Sequence, residues 1–376
     1  SGNLDTSFGS TGIVSIDLGS TETLYDVAVD KQNGLILVGQ TFDLINGDAE
    51  TGVVKLAENG TLDTQFDSDG KRVLDFGSNT PDYPIKVILH ENTDITLIGY
   101  YHNGTDKDVF AMQLDNTGGI NTNFGTSGKL SLSAANDQTV SDAVLDGENN
   151  IYIAGTHTGM SDTDFMVVQI DLDTNNDGVQ DGAVNTSLGA SGLFTYDEGS
   201  VDEGLAINIG SDGNILLAGA NASKFWLASF TPALTLNSGF ASSGIATSDY
   251  FTGQTVDRAT DIIQDQYGNI FLVGPADSKL GVVKFSPLGA VDTSYGSAGI
   301  NTFAINGTST NKTVGTLDGL GQVLLAGTDT NNMWVTLFQE FVVPDSAPWG
   351  CDATLASANS TPSIDTLITV GEAQVS

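Results

Sequence analysis

Short apolar runs return along this chain in a fixed order, each bounded by turn residues. The first set is LYDVAVD (24 to 30), LILVGQ (35 to 40) and TGVVKLAENG (51 to 60), with QNG as the first turn. The set returns as IKVILH, ITLIGYY and DVFAMQLD, then as VSDAVLD, IYIAGTH and DFMVVQID, and three more times, ending with MWVTLFQE. Their length, β-branched content and Gly/Asn/Asp borders are those of strands. No segment holds a helical period, so the predicted class is all-β.

A nine-residue motif follows the third run of each of the first five sets and also opens the chain. Its copies are LDTSFGSTG at 4, LDTQFDSDG at 62, INTNFGTSG at 120, VNTSLGASG at 184, LNSGFASSG at 236 and VDTSYGSAG at 291. Copies roughly 50 to 65 residues apart mark a solenoid, propeller or array. After each copy comes a fourth run: IVSIDLG, KRVLDFG, KLSLSAA, LFTYDEG, IATSDYF and INTFAIN. The first of these precedes the first set, and the last set has none after it. The expected architecture is therefore a six-bladed β-propeller of four-stranded antiparallel blades over 1 to 343, its ring closed by the N-terminal strand. Within the motif, Asp/Asn and Thr/Ser should fix a turn, the aromatic should plug the space between blades, and the last glycine permits a positive φ. A second glycine, Gly39, Gly99, Gly155, Gly219, Gly274 or Gly327, stands in every middle strand and is expected where neighbouring sheets approach closely.

LDTSFGSTG, together with SDGNILLAG (211 to 219) and QYGNIFLVG (266 to 274), resembles the delta-60 repeat family of bacterial surface and secreted proteins. The resemblance spans the repeats and implies the fold. It carries no catalytic signature over to this chain. Residues 344 to 376 leave the repeat pattern, and Pro344 and Pro348 among small polar residues read as a linker or tail that could instead pack through Trp349.

Charge narrows the partners. Twelve basic against 47 acidic residues give −35, which makes contact with a nucleic acid unfavourable. A salty or calcium-rich extracellular milieu suits such a surface. The single cysteine, Cys351, rules out an internal disulfide framework, and no apolar run approaches the ~18 residues of a membrane span.

The sharpest local signal is IDLDTNNDGVQDG, 170 to 182, inserted before the motif in the third repeat. Asp173, Asn175, Asp177, the Val179 carbonyl and Asp181 offer hard oxygen ligands at alternate positions, and Gly178 allows the sharp turn, so Ca2+ is the expected cofactor. The pattern is similar to the calcium loops of integrin-type propellers. An EF-hand's closing Glu is missing, since Val184 stands there. A second constellation appears when first strands are aligned on the middle-strand glycines: Asp26, Lys86, Asp142, Ala206, Asp261 and Val314. Asp26, Asp142 and Asp261 could ligate a catalytic metal at the mouth of a central channel, as in some six-bladed hydrolases. They could equally serve their own turns, and Lys86 could neutralise them.

His90, His102 and His157 show no ligand spacing and are expected on loops. Trp226 and Trp334 are expected in the core, and neither a G-x-S-x-G elbow nor a phosphate loop is present. The segments 41 to 51, 101 to 108 and 156 to 164 are longer than their later counterparts and point to one recognition face. Together these features predict a non-enzymatic extracellular recognition, adhesion or spacer module of a bacterial surface protein. It would be calcium-stabilised, monomeric within a larger chain, and able to take a glycan or protein ligand. A metal-dependent hydrolase or lyase using the three aspartates is the alternative.

Overall fold

The computed structural model describes residues 5–42, 47–77, 80–174, 180–222, 224–247, 251, 257–276, 279–303, 313–318, 322–328 and 333–338. The tail at 344 to 376 lies outside them. The described residues form strands and turns without a helix, so none is long and apolar enough to cross a membrane.

One antiparallel sheet forms per repeat, giving the six sheets of a six-bladed β-propeller. The first is β1 (Glu22–Val29), β2 (Leu35–Phe42), β3 (Ala49–Leu56) and β4 (Lys71–Leu74), paired in that order. The second is β5 (Asp82–Leu89), β6 (Ile95–His102), β7 (Lys107–Leu114) and β8 (Lys129–Leu132). The third holds β9 (Gln138–Leu145), β10 (Asn150–Thr158) and β11 (Thr163–Asp171), and both β12 (Ala183–Val184) and β13 (Leu193–Tyr196) pair with β11. The fourth is β14 (Asp202–Ile209), β15 (Ile215–Asn221), β16 (Lys224–Phe230) and β17 (Ile245–Thr247). The fifth is β18 (Asp261–Gln264), β19 (Ile270–Ala276), β20 (Lys279–Phe285) and β21 (Ile300–Phe303). The sixth is β22 (Thr313–Leu317), β23 (Val323–Thr328) and β24 (Met333–Phe338).

The expected fourth strand of the last sheet is not among the described ladders. Residues 13 to 17 alternate between exposed and half-buried, as a strand would, but carry no strand pairing. A ladder needs a partner edge as well as a pattern.

The chain divides into two compact units, Ser1–Leu217 with Ser229–Leu236, and Ala218–Ala228 with Asn237–Ser376. In the first, Ile36, Val38 and Val53 of sheet one pack with Val87, Leu97 and Met112 of sheet two. Ile98 and Val109 of sheet two pack in turn with Val140, Ile153 and Met166 of sheet three. In the second unit, Phe271, Val273 and Val282 meet Leu325 and Trp334. Trp226 and Trp334 are buried, as expected.

The motif behaves as its residues predict. Asp5, Asp63, Asn121, Asn185, Asn237 and Asp292 each accept the amide two residues on. The last glycines hold φ between 85° and 104°, a region that a side chain would strain. Phe66 and Phe124 are fully buried. The residue after the aromatic reaches the next repeat: Asp67 N donates to Thr117 O, Gly125 N to Asp181 O and Ala241 N to Leu288 O. The N-terminal copy makes the same contact with sheet one, through Gly9 N to Asn59 O.

The middle-strand glycines have a more local cause than the expected approach of sheets. Each of the first three faces a β-bulge in the first strand, where Tyr25, Ile85 or Ser141 is the extra residue. A Cβ at Gly39, Gly99 or Gly155 would run into the carbonyl oxygen of Thr23, Tyr83 or Thr139. Sheet packing adds to this at Gly155, whose carbonyl lies against Gly204 of the next sheet.

Candidate functional site

The bulge sets the direction of the next side chain. In sheets one and three that residue is Asp26 or Asp142, and each carboxylate reaches across to the neighbouring sheet. Asp26 Oδ2 accepts Val87 N at 3.0 Å and Asp142 Oδ2 accepts Ile207 N at 3.2 Å. Asp261 Oδ2 accepts Gly315 N at 2.7 Å in the same way. The donor is each time the residue after the aligned position of the next repeat, which holds Lys86, Ala206 or Val314. Lys86 Nζ lies 2.9 Å from Asp142 Oδ1, so it neutralises that carboxylate from sheet two. These three aspartates thus act as staples to the next first strand, which neither of the two earlier readings anticipates. Asp142→Ala should cost about 2 kcal/mol in denaturant unfolding, because it removes the acceptor of the Ile207 amide and one ion pair of Lys86. Asp142→Asn should recover part of the loss.

The 170 to 182 insertion closes on itself. Asp181 Oδ1 accepts Thr174 N at 2.9 Å and its Oδ2 accepts Thr174 Oγ1 at 2.7 Å. These bonds hold the carboxyl below its usual range. Asp173 N donates to Asp171 Oδ1. A polar cavity of about 420 Å³ beside the loop is lined by Glu148, Asn149, Asn150, Asp171 and Asp173. Of the expected ligands, Asn175, Asp177 and Val179 lie outside the described residues. The loop also belongs to the frame, since β12 pairs with β11 and a Cβ on Gly182 would strike the Phe124 ring.

A polar clamp recurs at the start of four first strands, in three cases where one sheet meets the next, and no sequence motif of fixed residue type marks it. Glu22 accepts Leu18 N, Asp82 accepts Phe76 N at 2.7 Å, Gln138 accepts Ala134 N and Asp202 accepts Glu198 N at 2.9 Å. The signal was present: the four acceptors stand seventeen residues before Gly39, Gly99, Gly155 and Gly219. It was obscured because the position alternates among Glu, Asp and Gln.

Between sheets three and four this clamp gathers charge. Asp164 of β11, Asp197 after β13 and Asp202 at the start of β14 each offer a carboxylate oxygen, all within 4.8 Å of one another. Asp202 is fully buried, and Thr163 Oγ1 donates to its carbonyl oxygen at 2.8 Å. Burial and the charge of Asp197 push the Asp164 carboxyl up, against the opposing pull of His157, whose Nδ1 lies 3.9 Å away. Such a group can take up a hard divalent cation or share protons. His157 belongs to β10 rather than a loop, and its Nε2 meets Ala135 O. His90 is buried against Thr96 Oγ1, and His102 ends β6.

The expected recognition segments are mostly strand. β2, β6 and β10 run on past their glycines, so the connections shrink to 43–48, 103–106 and 159–162. They remain longer than the connections 222–223 and 277–278 of sheets four and five, but the connection between β23 and β24 in sheet six has the same four residues as 103–106 and 159–162, so the expected contrast with the sixth repeat does not hold; Met160 at one tip is fully exposed.

No protein-family model and no curated protein matches the chain. Among solved structures, a protein from Bacteroides caccae is 14% identical with a TM-score of 0.35, covering 60% of this chain and 64% of that one. Virginiamycin B lyase from Staphylococcus aureus is 12% identical with a TM-score of 0.40, over 84% of this chain and 91% of the enzyme. A polysaccharide lyase is 13% identical with a TM-score of 0.47, over 82% and 74%. At such identities and scores these likenesses carry no argument about chemistry, and the propeller assignment rests on the six sheets of this chain.

Proposed function

We propose that the chain is a non-enzymatic recognition or spacer module of a bacterial surface protein, working outside the cell and stabilised by Ca2+ at the 173 to 181 loop. The observation that carries this reading is the occupation of Asp26, Asp142 and Asp261. Each gives a carboxylate oxygen to a backbone amide of the next sheet, an architectural use of residues that a metal-dependent hydrolase or lyase would direct at substrate. The repeat resemblance and the net charge of −35 suit a surface that works in salt and calcium. The hairpin ends of sheets one to three, with Met160 exposed on one of them, form the face offered to a glycan or protein ligand.

Calcium should raise the melting temperature, with a gain on the order of 3 kcal/mol at a hundred times the dissociation constant. Asp177→Ala should abolish the part due to the loop. An unchanged melting curve in EDTA and in Asp177→Ala would remove calcium from the loop. Ligand class is tested on a glycan array with the 43–48 and 159–162 turns exchanged for two-residue turns. Binding that survives both exchanges would place recognition elsewhere.

A further inference from the structure

The third repeat carries its insertion without giving up the ordinary contact between repeats. In three other repeats a turn carbonyl accepts the amide that follows the preceding aromatic, and the next glycine lies against that ring. Asn59 and Gly60 do this with Phe8, Thr117 and Gly118 with Phe66, and Leu288 and Gly289 with Phe240. In the third repeat Asp181 and Gly182 do the same for Gly125 and Phe124. Spacing shows what has been added. Asn121 Nδ2 reaches Gln113 Oε1 across eight residues, and Asn185 Nδ2 reaches Gln169 Oε1 across sixteen. The added residues are 173 to 180, and they end on Gln180, directly before the shared contact.

Gln180 makes a bond that its counterparts do not. Glu58 stands at the same place in the first repeat and accepts Asn33 Nδ2 of its own sheet, while Pro287 in the fifth has no polar side chain. Gln180 Oε1 instead accepts Gln113 Nε2 of sheet two at 2.7 Å. Gln113 is fully buried; its other amide hydrogen goes to Thr96 Oγ1 at 3.2 Å and its Oε1 takes Asn121 Nδ2 at 2.6 Å. Thr96 is also fully buried, and its Oγ1 stands 2.7 Å from His90 Nε2.

Hydrogen counting fixes the direction of this chain. With both Gln113 hydrogens used, the Thr96 hydroxyl is satisfied by donating to an unprotonated Nε2, which leaves the His90 Nδ1–H as the single unpaired group. The other tautomer would leave two, the hydroxyl hydrogen and the Nδ1 lone pair. Burial keeps the ring neutral, holding it down at about 4. Buried groups linked in this way polarise one another and do not shift singly.

We infer that the insertion is a strap on sheet two, coupled through Gln180, Gln113 and Thr96 to the buried ring of His90, so that a change of state in the loop is felt inside the neighbouring sheet. The strap itself does not require an ion. Only the identity of what changes the loop, Ca2+, rests on the functional reading given above.

The test is NMR of the histidine ring nitrogens in the full chain, which has three histidines, in EGTA and then with CaCl2. Wild-type His90 should show an unprotonated Nε2 and a protonated Nδ1. Gln180→Ala should move the Nε2 signal in EGTA and leave His102 and His157 in place. CaCl2 should move the same signal in the wild type and not in Gln180→Ala. Should that variant fail to fold, deletion of 173 to 180 restores the ordinary turn with Asp181 and Gly182 in place, and it should move His90 in EGTA and abolish the calcium response. A His90 signal unmoved by Gln180→Ala, or by the deletion, would overturn the inference. So would a calcium gain in melting temperature that Asp177→Ala abolishes while His90 stays still, a result that leaves calcium in the loop. If Gln180→Ala moves His90 but calcium changes neither His90 nor the melting temperature, the strap stands and the calcium reading falls.

Discussion

Gly155→Ala is expected to destabilise the chain by about 4 kcal/mol or more, a large share of an ordinary folding free energy. The new Cβ would be driven into the Thr139 carbonyl oxygen on one side and would stand 2.8 Å from Met166 Cε on another. The methionine can move. The carbonyl cannot, because it belongs to the bulge that directs Asp142 to sheet four. The Gly155 carbonyl is itself wedged against Gly204, so a shift of β10 to relieve the clash would disturb the neighbouring sheet as well. Gly147→Ala is the control: nothing lies within 4 Å of its Cβ position, and its melting temperature should stay near that of the parent. Equal, small losses in both variants on denaturant unfolding would mean that the bulge is not fixed as described.

The second large effect is a pH dependence centred on Asp82. Burial, with the charges of Asp75 and Glu50 adding to it and the Phe76 amide and Lys129 opposing it, pushes this carboxyl up to about 7. An aspartate in the unfolded chain titrates near ~4. Between those values the folded state holds a proton that the unfolded state has released, so the contribution of Asp82 to stability falls as pH rises from about 4 to about 7 and is flat above. The full swing is on the order of 4 kcal/mol. Asp82→Asn removes it. In EGTA the variant should therefore gain on wild type from pH 4.5 to about pH 7 and hold that gain to pH 8, read as the difference between two denaturation curves. His90 works in the opposite sense. Burial holds its imidazole down at about 4, so its contribution is lost as pH falls from about 6.5 to about 4, but it is common to both proteins and cancels in the difference. A gap that does not change with pH would show that Asp82 is not titrating in this window.

The repeat was legible because its determinants are local. Each Asn or Asp of the motif bonds an amide two residues away, and each final glycine answers for its own φ. Phe66 and Phe124 were readable as plugs between blades for the same reason: a large apolar side chain inside a polar turn has to be buried. The bulges were not readable, since an extra residue at Tyr25 or Ser141 only shifts the phase of an alternation already imperfect over seven residues. The staples show how far residue type alone reaches. Alignment on glycines picked out Asp26, Asp142 and Asp261, but their partners are backbone amides, which have no signature in a sequence. The Asp164, Asp197 and Asp202 group was hidden for a different reason. Its members come from two strands and the connection after a third, across stretches of unequal length, and one of its acids is replaced by Ser133 and another by Gln138 in the preceding repeat. The hairpin segments were read as longer loops than they are because polar residues such as Thr41, Tyr101 and His157 continue the ladders past each glycine.

If the inner-strand carboxylates hold sheets together while recognition lies at the hairpin ends, stability and binding should separate on mutation. Asp142→Asn compared with wild type, for melting temperature and for glycan-array binding alongside turnover of lactones and esters, tests this most directly. The variant should melt at a lower temperature with an unchanged ligand profile, and neither protein should turn over a lactone or an ester. Turnover by the wild type that disappears in Asp142→Asn at an unchanged melting temperature would contradict it.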